Sequence, residues 1–246
     1  MINKAFRFVL FLLPLSLFAG FFLGLWQLEV LPVDKVELIL KECGNKRIFI
    51  LFSILQAMLN ATFFGFCGYL LANKIGLWTP IKLEKKKLTM TLVISFLGGL
   101  LFSLDPWTFG KFINIPIQQN NISAIAFIDS ILYGGIIEEL MMRLFFMSLI
   151  ILILQKLFFR KQDQIPQKVF IISNIISTLV FAAAHLPMTI ELFGSLTPII
   201  IFRCFLLNGG FGLIFGWLYR RYGIHYAMLC HAMLHLVSKI IWLCFI

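Results

Sequence analysis

Seven long apolar runs follow one another along this chain, at roughly 6–28, 47–73, 88–105, 122–157, 169–186, 197–219 and 223–245. A helix needs about 20 mainly apolar residues to cross the hydrocarbon core of a bilayer. With no water there to satisfy peptide groups, such runs must wind into helices. The expected fold is therefore all-α, a polytopic transmembrane helix bundle of seven to eight spans. The eighth would arise if the 36-residue fourth run breaks near Gly134 and Gly135. Composition agrees, with 61% hydrophobic and only 13% charged residues and a mean hydropathy of +0.97. An ordinary soluble domain is excluded.

The net charge of +10 does not point to nucleic acid, because the basic residues gather in short breaks between runs. That pattern sets topology. Thirteen Lys and Arg flank one set of alternate breaks (from Lys4 and Arg7 to Arg220 and Arg221), against five on the other (Lys35, Lys41, Lys46, Arg47 and Lys111). The N-terminus is thus expected to be cytoplasmic. The first run reaches Trp26 without a small-residue cleavage site, which favours a retained helix over a signal peptide. Cys43, Cys67, Cys204, Cys230 and Cys244 are odd in number and lack CxxC spacing, so they read as small packing residues. With neither repeat nor linker, residues 1–246 read as a single integral membrane domain. Gly212 and Gly216, in GxxxG spacing, mark a close helix contact.

The chemistry resides in the few ionisable residues inside the runs: Asp129, Glu138, Glu139, Arg143, His185, Arg203, His231, His235 and Lys239. Each costs about 2.5–3.5 kcal/mol on insertion scales, so each faces protein or water. Glu139 and Arg143 are four apart and can pair on one helix face. The pair either locks the helix alone or supports a site. Glu138 points about 100° away and lacks that partner, the setting of a general base. His231 and His235 also share a face, while His225 sits at the interface beside Arg220 and Arg221. Two chemistries fit. Glu138 and His185 could activate a water while His231 and His235 donate to an oxyanion. Alternatively, His231 and His235 could bind zinc with His185 or Glu138 as third ligand. No Ser or Cys stands in a nucleophile setting.

In order and context, Glu138-Glu139-x-x-x-Arg143, Phe181-x-x-x-His185 and His231 in the last run resemble the CAAX protease and bacteriocin-processing family, which includes bacterial Abi proteins. The similarity runs from about residue 122 to the C-terminus, residues 122–246. It implies an intramembrane endopeptidase in which Glu138 and His185 activate water, Glu139 and Arg143 support them, and the last motif holds the oxyanion. That motif is usually His-x-x-x-Asn, and here the Asn position is His235. The resemblance implies no cofactor, with zinc the alternative, and a bacterial cytoplasmic membrane as location. Expected partners are the lipid bilayer and a peptide or membrane-protein substrate, lipidated or not, with no nucleic acid.

Two other classes fit the same residues: a non-catalytic bacteriocin immunity or scaffold protein, and a proton-coupled transporter, which would more naturally carry inverted repeats. Geometry poses one further demand. With alternating spans, Glu138, His185 and His231 reach one depth only if helices are tilted, broken or re-entrant.

Overall fold

In a computed structural model, which describes residues 1–112, 123–160, 162 and 164–245, the chain is helical throughout and has no strand among those residues. Helix α1 is Ile2–Val30, α2 Val33–Cys43, α3 Lys46–Lys74, α4 Lys85–Ser103 and α5 Asp105–Phe109. A long helix, α6, runs over 124–158. It is followed by α7 Gln167–Ala184, α8 Leu186–Phe193, α9 Pro198–Tyr222 and α10 Ile224–Phe245. The start of the fourth run at Ile122, and most of the connection before it, lie outside the described residues.

Six segments are long and apolar enough to span: Ile2–Val30, Lys46–Lys74, Lys85–Phe112, Gln167–Phe193, Pro198–Tyr222 and Ile224–Phe245. The seventh apolar run is α6. It does not break at Gly134 and Gly135. Residues Ser130–Glu138 and Leu140–Met147 are instead wound as π-helix, between α-helical ends, and the residues at the junctions keep right-handed helical angles. The expected interruption is thus a change of winding. Such i→i+5 turns are rare and concentrate at functional sites.

Small residues set the packing. Helix α1 lies along α3, α4 along α10, and α6 between α3 and α10. A Cβ on Gly20 would fall 2.6 Å from the Ile54 Cα, and one on Gly99 would fall 2.6 Å from the Val237 Cβ. With little hydrophobic drive between helices in lipid, such close approach supplies the van der Waals contact that holds them. Ser16, Ser53, Thr91 and Ser95 are buried and return their hydroxyls to carbonyls of their own helices. The outward faces carry exposed Phe, Leu and Ile, as a lipid-facing surface requires.

Two local devices bring residues of separate helices together. Helix α7 has only 18 residues and stops where Pro187, without an N–H, cannot continue its ladder. His185 is therefore placed at a helix end inside the protein, its own N–H turned to Ala182 O at 3.1 Å. Helices α9 and α10 meet in a tight turn at Gly223, φ 107°, a backbone region that favours glycine. Phe215 and His231 lie eight residues on either side of it, so the hairpin lays one ring on the other, centroids 4.4 Å apart.

Gly99→Leu is expected to force α4 from α10 and cost about 1–3 kcal/mol, the usual penalty for overpacking. A fall in the thermal midpoint of the detergent-purified protein measures it; an unchanged midpoint would contradict this packing.

Candidate active site

Glu139 and Arg143 are sealed in the interior, at 0% and 1% side-chain exposure. Arg143 Nη1 lies 3.2 Å from Glu139 Oε1, while its Nη2 donates to Gly212 O at 3.1 Å. Its guanidinium lies 4.4 Å from the Phe181 ring centroid and 5.4 Å from that of Phe215. Gly212 permits this, since a Cβ there would fall 2.9 Å from Nη2. Glu139 Oε1 also receives His231 Nδ1 at 2.9 Å. One carboxylate oxygen thus ties α6 to α10, and the arginine ties α6 to α9.

That contact fixes a tautomer. A carboxylate only accepts, so His231 carries its proton on Nδ1 and, when neutral, leaves Nε2 bare. His235 Nε2 lies 3.2 Å away and must then be the donor. His235 Nδ1 is buried without a partner. The same logic applies to His185, whose Nδ1 donates to Phe181 O at 2.8 Å. Its bare Nε2 faces Glu138 Oε1 at 3.7 Å.

Glu138, one residue from the sealed Glu139, has a different environment. Its side chain is 23% exposed and that of His185 31%. Both open into a cavity of about 440 Å³. Met141, Met142, Phe181 and Met188 form part of its apolar wall, and His231, His235, Asp129 and Lys239 also reach it. Gly134 lies at the junction of these groups. A Cβ there would lie 3.7 Å from the Nε2 atoms of both His231 and His235 and 3.8 Å from Glu138 Oε2.

All six candidate residues, Glu138, Glu139, Arg143, His185, His231 and His235, therefore meet in one region. Arg203 stands apart, paired with Asp105, and His225 contacts Lys82 O at 3.2 Å. Sequence reasoning missed Phe215, Gly134 and Gly212. Gly134 had a signal read only as a helix break, and Gly212, in GxxxG spacing with Gly216, one read as packing alone. For zinc, the two Nε2 atoms are close enough to share an ion. Among the described residues no group of three or more His, Cys, Asp or Glu is placed to hold a metal.

Residues 120–237 match the family described as type II CAAX prenyl endopeptidase, Rce1-like. The match covers 118 of the 246 residues and contains the motifs on which the sequence resemblance rests. The matched segment begins just before α6 and ends within α10, so it contains every residue of the cluster just described. No curated protein and no solved structure matches the chain. The family is one of peptidases, and with its apolar helices the protein is an integral membrane protein.

Arg143→Met would leave Glu139 as an uncompensated buried charge, and is expected to cost about 3–5 kcal/mol of stability. Arg143→Lys should rescue little, because an ammonium cannot reach both Glu139 and Gly212 O while stacking on Phe181. Unfolding of the two variants in detergent decides this; a stable Arg143→Met protein would refute the role of the pair.

Proposed function

We propose that the protein is an intramembrane endopeptidase that cleaves a membrane-associated peptide or protein tail with a water activated by Glu138 and His185. The observation that carries this reading is the facing of Glu138 Oε1 and the bare His185 Nε2 at 3.7 Å on a cavity inside a membrane bundle. Both atoms are acceptors, so a water between them would give one hydrogen to each and present its lone pairs to a carbonyl. Glu138 takes the proton as the water attacks, and the resulting acid can deliver it to the leaving amine.

The oxyanion needs an N–H donor. In the neutral tautomers described above, the N–H nearest the cavity junction is that of His235 Nε2, held on His231 Nε2 in the absence of substrate. A developing oxyanion would draw it away, the kind of interaction that strengthens in the transition state. Glu139 and Arg143 act as positioning residues: they keep His231 fixed, and His231 in turn holds His235. No metal is required in this scheme. The methionine- and aromatic-rich wall suits an apolar or lipidated chain, because unbranched methionine adapts to irregular shapes.

Cleavage should be lost in Glu138→Ala and in His185→Ala while both proteins still insert and keep the wild-type thermal midpoint. The assay compares membrane-peptide precursors in wild-type and variant cells, with purified protein assayed with and without chelator. Full cleavage by both variants would sink the proposal, and full protection against a bacteriocin by Glu138→Ala would favour a binding role instead.

His235 provides a finer test. Asn at that position also offers an N–H donor, so His235→Asn should keep most activity, whereas His235→Ala should lose about 10²–10³-fold in kcat, as removal of an oxyanion donor does. Equal activity of the two variants would remove His235 from the mechanism.

A further inference from the structure

A second cavity, of about 650 Å³, lies between the start of α1 and the end of α3 and shares no lining residue with the first. Lys4, Arg7 and Phe8 reach it from α1, Tyr69 and Asn73 from α3, and Trp78 from the segment that follows. That segment turns back at Gly76, φ 72°, a backbone region that glycine favours. Leu77 and Trp78 then donate their N–H groups to Ala72 O, at 2.8 and 3.1 Å. The turn sets the Trp78 ring against Tyr69 and Phe8, with centroids 4.3 and 5.0 Å away. The indole is thus fixed by two aromatic neighbours.

The wall is rich in donors and poor in acceptors. Among the described residues, no carboxylate lines the cavity, and neither Lys4 nor Arg7 enters an ion pair. The only side-chain hydrogen bond in the wall, among those residues, runs from Asn73 Nδ2 to Tyr69 O at 2.8 Å. Two cations, the Tyr69 hydroxyl and the Trp78 indole N–H are therefore left without a partner. Tyr69 is only 4% exposed, and a hydroxyl on so covered a ring is costly to leave unpaired. An anion with several acceptor oxygens satisfies all four groups. Phosphate fits best, since guanidinium and ammonium both bind it through charge-assisted hydrogen bonds.

Depth decides what carries the phosphate. Helix α1 has 29 residues, a length of about 43 Å at ~1.5 Å per residue, against a hydrocarbon core of about 30 Å. Its first turns, with Lys4 and Arg7, therefore reach the level of the lipid headgroups. Lys4, Arg7 and Phe11 follow one another at spacings of three and four along one stripe of α1, and Phe11 is 64% exposed. Positive charge beside an open apolar face matches a molecule with a phosphate at one end and an acyl chain behind it. We infer that this cavity binds the headgroup of an anionic phospholipid, its phosphate held by Lys4, Arg7, Tyr69 and Trp78 and its acyl chain lying along Phe11. The site is independent of the peptidase chemistry.

The test measures the thermal midpoint of the full-length protein in mixed micelles containing dioleoylphosphatidylglycerol or, at the same mole fraction, dioleoylphosphatidylcholine. A ligand bound only by the folded state raises the midpoint with its concentration. Near saturation, phosphatidylglycerol should raise wild type by about 5 °C above its value in phosphatidylcholine. Lys4→Gln combined with Arg7→Gln should abolish that rise yet melt like wild type in phosphatidylcholine, because exposed charges add little stability of their own. Trp78→Phe keeps the ring but not the N–H, and should require more phosphatidylglycerol for the same rise. Lys85 and Lys86 begin α4 at the same end of the bundle but outside the cavity wall, so Lys85→Gln combined with Lys86→Gln should keep it. An equal loss in the two double variants would mean diffuse attraction to an anionic surface and overturn the site, as would the absence of a rise in wild type. An equal rise on adding inorganic phosphate to phosphatidylcholine micelles would overturn the lipid assignment in favour of a soluble phosphate.

Discussion

A carboxylate and a guanidinium with almost no access to solvent cannot persist inside a membrane bundle unless they satisfy each other and their neighbours. The group formed by Glu139, Arg143 and His231 is the constraint on which the rest of the site depends. Glu139 Oε1 accepts from His231 and lies beside Arg143, while Arg143 reaches across to Gly212. Separating α6, α9 and α10 would strand a charge where the dielectric is low, at a cost of several kcal/mol. These three helices are therefore held in one relative position. The same contact sets the tautomer of His231, and through it the direction in which His235 donates.

Adjacent glutamates with opposite environments follow from this. On a helix, successive side chains point in different directions, so Glu139 can turn into the charge cluster while Glu138 faces the cavity. Glu138 closes the first π-wound stretch of α6 and Glu139 stands between it and the second, while Gly134 lies beside the point where Glu138, His231 and His235 converge. Helix α7 supplies the remaining wall. Because Pro187 stops it early, His185 ends facing Glu138. The turn at Gly223 brings Phe215 onto His231 and covers the far side of that ring. Each device is a local backbone choice, and together they bring four helices to one point.

Much of this was legible from residue type. The apolar runs named the medium and the fold class, and intramembrane charges named their own importance, since lipid leaves them no neutral role. Glu139 and Arg143 at helical spacing announced a pair. Winding was not legible: glycines at 134 and 135 suggested a break, and whether a helix breaks or widens depends on the neighbours that receive its free peptide groups. Partners distant in sequence were equally hidden. Phe215 is one of 28 phenylalanines, and nothing in its surroundings marks it as the ring beneath His231. Gly212 was visible as a packing residue, but not as the carbonyl that receives Arg143.

By itself the sequence determined that this chain lives in a bilayer, that Gly212 and Gly216 mark a close helix approach, and that Glu138, Glu139, Arg143, His185, His231 and His235 are among the ionisable groups inside its apolar runs. These follow from transfer energies and helical periodicity, which act locally. Only the tertiary structure decided which glutamate is sealed and which is open, which histidine nitrogen is bare, and that Lys239 and Asp129 share a cavity with the cluster. Those outcomes depend on distances between separate helices. Such distances are fixed by packing and by the need to neutralise buried charge, neither of which is a property of any single segment.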